Sequence, residues 1–210
     1  MPRRIALVWA VGLALAPLAV AQPRTHIVTE VVTVVVPVIG ADNAPQVAKL
    51  DEKLKGLAEK GEFKSDAPEK RFTFALKLNE ELTWTDLKAG VEGEEKLFVL
   101  GDPTLVGKVR LTFDPSVTAE ENKAKLVATS LKIKALPGMT AFRPTGSGGI
   151  EMVVAAPGFP VSQVRDLIVK ALTIPEGTDP IAEVTWYGPI DPDDPASGVK
   201  KHGGGGSKKK

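Results

Sequence analysis

Few side chains of this sequence could carry out catalysis or hold a soft metal. The 210-residue chain has no cysteine and two histidines, His26 and His202. Disulfides, thiolate zinc sites, iron–sulfur clusters and cysteine nucleophiles are therefore excluded. Histidine is the commonest general base at neutral pH, and these two stand near opposite ends of the chain, so no histidine-based triad is expected.

Acidic residues are the remaining candidates for catalysis. Two facing carboxylates could hydrolyse a glycoside, but residues adjacent in sequence point in different directions. Each acidic pair also stands at a predicted helix start or in a loop, where surface carboxylates are common. The sequence therefore predicts a protein that is not an enzyme and holds no cofactor. The pairs are Glu80-Glu81, Glu94-Glu95 and Glu120-Glu121.

Two other patterns resemble ligand sites but lack essential positions. Asp191, Asp193 and Asp194 resemble the start of an EF-hand calcium loop, but the Gly and Glu that complete such a loop are missing. The segment Lys70-Arg71-Phe72-Thr73-Phe74 resembles an RNA-binding strand without its glycines. Leu76 and Leu78 continue the apolar face of these phenylalanines, so we predict core packing and no nucleic acid partner.

Both ends of the chain are predicted to lie outside the folded body. Residues 1–21 have the order of a secretory signal peptide: two arginines, an apolar stretch and an Ala-Val-Ala cleavage site. We expect a periplasmic or extracellular protein without a stable membrane anchor after cleavage; an uncleaved anchor is the alternative. Residues 191–210 form a tail too polar to fold alone, and its lysines could contact anionic polymers of the cell envelope.

The body between these ends has a balanced charge, with +1 for the whole chain, and 43% of all residues are hydrophobic, so it can bury a core. Residues 22–102 predict the element order β-α-β-β-α-β from a Val-rich run, leucines at helical spacing and alternating apolar residues. The predicted elements are a strand over His26 to Val38, a helix from Asn43 to near Gly61, strands over Gly61 to Ser65 and Arg71 to Leu78, a helix over Thr83 to Ala89 and a strand over Lys96 to Leu100.

Residues 103–190 repeat this order at a period of about 80 residues. Thr118 and Glu121 form a capping-box pattern, and Ser162 is predicted to cap the last helix. The first helix of this half is predicted to bury a stripe of Ala124, Val127, Ala128 and Leu131. The predicted strands are Gly107 to Phe113, Met139 to Arg143, Gly149 to Ala155 and Ile181 to Tyr187.

This repeated order matches the split βαβ, or ferredoxin-like, arrangement. We therefore predict an α+β fold of two tandem ferredoxin-like units, residues 22–102 and 103–190, each an antiparallel sheet with helices on one face. A single eight-stranded α+β domain would give a similar pattern and remains the alternative.

The second unit resembles the heavy-metal-associated domain family, which includes small copper chaperones. The resemblance is carried by Leu131 to Met139, which reads LKIKALPGM, and continues through Val153 and Val184. That family binds Cu(I) through two cysteines in a GMTCxxC loop, and this chain lacks both. The resemblance therefore implies a fold without thiolate metal transport.

The loops that correspond to the metal loop of that family contain oxygen donors. They hold Asp42, Asn43 and Gln46 in the first unit and Ser116 in the second. Such residues cap helices or bind hard cations weakly. No other residue is predicted to bind a metal.

These observations favour an exported, non-catalytic binding or protein-interaction module whose exposed sheet faces contact an unknown protein or cell-envelope partner. One alternative is a secreted protease inhibitor or propeptide-like folding assistant, which rests on fold analogy alone. Others are a weak hard-cation binding protein, and an enzyme that uses carboxylates only, which would require two acids with shifted pKa values converging in one pocket.

Overall fold

The computed structural model describes residues 30–93 and 96–190. The predicted signal peptide, both histidines, Glu94, Glu95 and residues 191–210 lie outside the described residues. The strands are β1 (Val34–Ile39), β2 (Gly61–Asp66), β3 (Arg71–Leu76), β4 (Glu81–Thr83), β5 (Val99–Leu100), β6 (Thr104–Phe113), β7 (Met139–Thr145), β8 (Gly149–Pro160) and β9 (Ile181–Tyr187). The helices are α1 (Ala44–Lys55), α2 (Trp84–Val91), α3 (Lys123–Lys134) and α4 (Val161–Ala171).

The first sheet has the strand order β2-β3-β1-β5, and all its neighbouring strands are antiparallel. Alternate residues of β1 and β3 point into the core because side chains along a strand alternate between its two faces. Phe72 and Phe74 are almost fully buried, as their spacing predicted. On α1, Leu50 and Leu54 are buried at helical spacing against the same core.

The second sheet has the strand order β4-β9-β6-β8-β7 and is also antiparallel. One of its two edge strands, β4, comes from the first half of the chain and pairs Leu82 with Trp186 of β9. Helices α3 and α4 contact each other and this sheet. In the described residues the fold is therefore mixed α+β, with two antiparallel sheets and four helices.

One continuous core joins the two sheets. The Trp186 ring of β9 meets the Phe74 ring of β3 edge-on, with centroids 5.6 Å apart. Nearby, the Thr104 hydroxyl accepts a hydrogen bond of 2.9 Å from the Val35 amide. The first and second sheets are therefore stabilised by the same buried contacts. In the part of the chain that the structure describes, no helix is long and apolar enough to cross a membrane.

The stripe predicted to be buried on α3 faces solvent instead. Val127 and Leu131 are 66% and 65% exposed, whereas Thr129 and Ile133 are buried. The Thr118 hydroxyl donates to the Pro115 carbonyl at 3.2 Å rather than capping the helix. A short 3₁₀ turn precedes α3, which begins at Lys123. The prediction was wrong because this helix carries apolar residues on two sides.

The predicted cap of α4 is also wrong. The Ser162 side chain makes no capping bond; its backbone amide donates to both carboxylate oxygens of Asp102, at 3.2 and 3.1 Å.

Three strand ends differ from the prediction. Strand β1 begins at Val34 and not at His26, and β8 continues to Pro160 beyond Ala155. Leu78, predicted to end β3 in the core, lies beyond that strand and is exposed. Such ends depend on partners distant in sequence, which local spacing does not reveal.

Candidate functional site

The loop before α1 uses its oxygen donors to start the helix. The Asn43 carboxamide oxygen accepts a bond of 3.1 Å from the Gln46 amide. In return, the Gln46 side-chain oxygen accepts one of 2.9 Å from the Asp42 amide. The Asp42 carboxylate pairs with the Lys70 ammonium at 2.5 Å. The three residues predicted as weak ligands are therefore brought together, but as a reciprocal helix cap with an ion pair.

Ser116, the fourth predicted residue, lies in a tight turn. Its hydroxyl and backbone amide both donate to one oxygen of Asp114, at 2.7 and 2.9 Å. These hydrogen bonds, the hydroxyl first, hold the pKa of Asp114 below its ordinary value. Within the described residues, no group of three or more His, Asp or Glu side chains is arranged to hold a metal ion.

A cleft of about 290 Å³ opens where the two sheets meet. We call it the junction cleft. Its walls come from α2, the segment between β5 and β6, the start of α4, and β9. Such a volume is near the lower end of the range of small-molecule pockets. Its charged side chains are Lys88, Asp102, Arg165, Asp179 and Glu183.

The three acids of the junction cleft all hold elements of the fold in place. Asp102 accepts from the first turn of α4, and Glu183 accepts from the Thr85 hydroxyl, at 2.5 Å, in the first turn of α2. A helix N-terminus carries partial positive charge, so a carboxylate there is stabilising. Asp179 binds the Arg165 guanidinium through two hydrogen bonds, which are the main cause of the raised pKa of Arg165.

The carboxylate-only enzyme required acids that converge in a pocket, and three acids line the junction cleft. Each of these acids accepts hydrogen bonds that fix a helix start or a strand. The acids that line the cleft therefore have a structural role where the two sheets meet.

A second candidate is the face of the second sheet that points away from α3 and α4, which we call the second-sheet face. Strand register places its side chains in two cross-strand rows. One row pairs Glu81 with Tyr187 and Tyr187 with Lys108. The other contains Thr185, Arg110, Glu151 and Arg143.

An ion network fixes the second of these rows. Arg110 donates to one oxygen of Glu151 from Nη2 at 2.6 Å and from Nε at 3.3 Å. Arg143 donates to the other oxygen. The Glu151 side chain is only 12% exposed, whereas that of Arg143 is 52% exposed. A recessed acid thus holds two arginines in place, and both arginines remain open to solvent.

Comparisons with known proteins do not identify a relative. No family model, curated protein or solved structure matches this chain. The assignment of a site therefore rests on geometry alone.

The ion network and its surroundings shift the pKa values of Glu151, Arg110 and Tyr187. Burial acts to raise the pKa of Glu151, but hydrogen bonds from Arg110 and Arg143 outweigh it, and the pKa lies below its ordinary value. The bond to Glu151 raises the pKa of Arg110. Burial raises the pKa of the Tyr187 phenol above its ordinary value of 10, so the group keeps its proton to higher pH than a free tyrosine.

Two cations lie over the Tyr187 ring. The Lys108 ammonium is 5.0 Å from the ring centroid, and the Arg110 guanidinium carbon is 5.5 Å from it. These contacts orient an aromatic side chain next to basic groups. Tyr and Arg are enriched at the energetic centres of protein interfaces. The second-sheet face therefore has a composition suited to binding a partner with acidic groups.

Sequence reasoning missed these residues, although part of the signal was present. In β6, Lys108, Arg110 and Thr112 alternate with Val109, Leu111 and Phe113. This alternation is typical of a strand with one covered and one solvated face. It does not show which side chains lie opposite Arg110, because that depends on register with β8 and β9.

Proposed function

We propose that this chain is an exported, non-catalytic protein-binding module, active in the periplasm or outside the cell, whose second-sheet face contacts an acidic partner. We further propose that it consists of two tandem ferredoxin-like units related to heavy-metal-associated domains without the thiolate ligands. The observation that carries the proposal is the row in which recessed Glu151 holds Arg110 and Arg143 beside Tyr187.

The strand orders support the tandem arrangement. In the first sheet, β5 and β3 lie on either side of β1, and β2 is outermost beside β3. In the second sheet, β9 and β8 lie on either side of β6, and β7 is outermost beside β8. Both sheets therefore follow the order fourth, first, third, second once β4 is set aside, which is the order expected of a split βαβ unit.

The remaining hydrogen-bonding capacity of the arginines supports an acidic partner. A guanidinium has five N–H donors in a planar fork that fits a carboxylate. Arg110 gives Glu151 its Nε and Nη2 groups, and Arg143 gives it Nη2. Donors remain on both side chains, and Glu151 prevents the arginines from collapsing onto other parts of the sheet. A partner carboxylate can therefore bind with little loss of side-chain freedom.

Site-specific photocrosslinking in the producing cell tests this function. Ala141 stands on the second-sheet face opposite Val153 and beside Arg143. Replacing it by the photoreactive p-benzoylphenylalanine is expected to give one discrete adduct of higher mass after irradiation. Arg143→Glu in the same chain is expected to remove that adduct, because it reverses the charge offered to the partner.

The matched control places the same photoreactive residue at Ala48, which is exposed on α1. The proposal predicts no adduct there that depends on Arg143. Equal adducts at Ala48 and Ala141, or an Ala141 adduct that persists with Arg143→Glu, would contradict a partner site on the second-sheet face.

Weak binding of a hard cation is less well supported. Its residues Asp42, Asn43 and Gln46 are engaged in the cap of α1. A cation present at 100 times its dissociation constant would add about 2.7 kcal/mol of stability. A clear rise of the thermal midpoint with Ca²⁺ or Mg²⁺, abolished by Asp42→Ala, would favour this alternative.

A further inference from the structure

Helix α3 presents an apolar stripe to solvent, which we call the outer stripe. It consists of Ala124, Val127, Ala128 and Leu131 on the helix and of Ala135, the residue just after it, all exposed. The opposite side of the helix faces the core through Thr129 and Ile133. Two sides of one helix are therefore apolar, and only one of them has a partner in the described residues.

Lysines border the outer stripe on both sides. With 100° of rotation per residue, Lys123 and Lys134 fall along one border and Lys125 and Lys132 along the other. All four are exposed, and α3 contains no acidic residue. Just before the helix, Glu120 pairs with Lys123, and the Lys125 ammonium lies 3.4 Å from the Thr173 hydroxyl. The outer surface of the helix is thus a strip of apolar side chains between two basic edges.

An apolar strip bordered by lysines on both sides is one feature of helices that lie at the surface of a membrane. Apolar side chains enter the boundary between headgroups and acyl chains, and lysines extend their ammonium groups to lipid phosphates. A flat anionic surface can meet both basic borders of a convex helix at once. A protein partner would have to enclose the helix in a groove with acids on both rims.

We propose that the outer stripe docks α3 onto an anionic lipid bilayer. The helix packs on one face of the second sheet, and the second-sheet face is on the other side. Docking through α3 therefore leaves Arg110, Arg143 and Tyr187 pointing away from the lipid. Docking through α3 holds the protein at a membrane surface with the second-sheet face open to a partner. The idea that this orientation serves a partner rests on the proposed function, whereas the docking of α3 onto lipid does not.

The apolar part of the contact is small, because only Val127 and Leu131 are large. Charge must therefore supply much of the affinity, and added salt should weaken the contact. Each lysine near an anionic bilayer contributes about a factor of five in binding. Replacing Lys132 and Lys134 by Gln should reduce the affinity for anionic vesicles about twenty-five-fold.

The absence of cysteine from the chain allows a local probe of this contact. Ala128→Cys carries an environment-sensitive fluorophore on the outer stripe of the full chain, and Ala48→Cys carries the same fluorophore on α1. Vesicles of phosphatidylcholine with phosphatidylglycerol should shift the emission of the Ala128 label to the blue. Pure phosphatidylcholine vesicles should not, and the Ala48 label should respond to neither.

Val127→Gln with Leu131→Gln in the labelled chain should clearly reduce the shift and leave the thermal midpoint unchanged, since both positions are exposed. The label reports the surroundings of α3, so binding through an end of the chain would leave its emission unchanged and would refute the proposal. Equal shifts at both labels would show nonspecific adsorption. A shift that grows with protein concentration without vesicles would assign the outer stripe to contact between copies of the chain.

Discussion

The two faces of the second sheet are built by the same strands from opposite kinds of side chain. On β8, Met152 points into the core beneath α3 and α4, and its neighbours Glu151 and Val153 point to the second-sheet face. The covered face is stabilised by apolar packing, whereas the other is organised by charge. Apolar packing and surface charge are thus supplied by alternate residues of one strand, so they can be changed separately.

The sharpest test of this separation compares two adjacent residues. Met152→Ala should lower the free energy of unfolding by about 2–5 kcal/mol, because it leaves a cavity in a close-packed core. Val153→Ala, on the other face, should cost less than about 1 kcal/mol. Urea unfolding of both variants measures the difference. Similar losses for the two substitutions would show that the second-sheet face is also part of the packed core.

The next largest effect should come from the ion network. Glu151→Ala removes the acceptor of both arginines and should lower the free energy of unfolding by about 1.5–3 kcal/mol, the usual range for hydrogen bonds to charged groups. Glu62→Ala is the matched control, because its pairing with Lys64 at 3.5 Å is fully at the surface. We expect less than about 0.5 kcal/mol there. Equal losses of stability for Glu151→Ala and Glu62→Ala would show that the Glu151 network is no more than an ordinary surface ion pair.

The pH dependence of stability should separate the two faces further. Because the folded pKa of Glu151 lies below its ordinary value of 4.5, ionised Glu151 stabilises the fold above that pH. This stabilisation should be lost as the pH falls through the lower, folded value. Glu151→Gln should therefore be less stable than the wild type at neutral pH, and the gap should narrow in acid. Unfolding at a series of pH values checks this, and a constant gap would exclude a role for the charge.

The smallest expected change in stability concerns the exposed side of α3, the helix that packs on the second sheet. Leu131→Gln on the outer stripe should change the free energy of unfolding by less than about 0.5 kcal/mol, because its side chain is already in water. Ile133→Ala, two residues later and fully buried, is the control and should be strongly destabilising. A large loss for Leu131→Gln would mean that the outer stripe is covered in the folded chain.

Local spacing predicted the parts of the fold in which one face is apolar and the other is polar. Phe72 and Phe74 were correctly assigned to the core because polar residues alternate with them. On α3 the same reasoning selected the wrong side, since apolar residues recur on both sides and only the sheet decides which is buried. Three-residue β4 shows no period at all.

The candidate site was harder to predict because it is assembled from distant segments. Asp102 contacts the start of α4 although it lies 60 positions earlier in the sequence, and no pattern in the neighbouring residues predicts that contact. Likewise, Arg110 and Glu151 are 41 positions apart and meet through strand register. The alternation of polar and apolar residues in β6 indicated a solvated face. It did not show which charged side chains of other strands would lie next to Arg110 on that face.

The position of β4 has a consequence for biosynthesis. Glu81–Thr83 leaves the ribosome well before its partner β9, which is the last strand described, and Thr85 is 98 positions from the Glu183 that it binds. Closing so long a loop is entropically costly and slow compared with forming neighbouring hairpins. The nascent chain must therefore carry β4 unpaired until β9, about a hundred residues later, has been made. A chain cut short before Ile181 would leave both β4 and the β9 side of β6 as open edges, which are templates for aggregation.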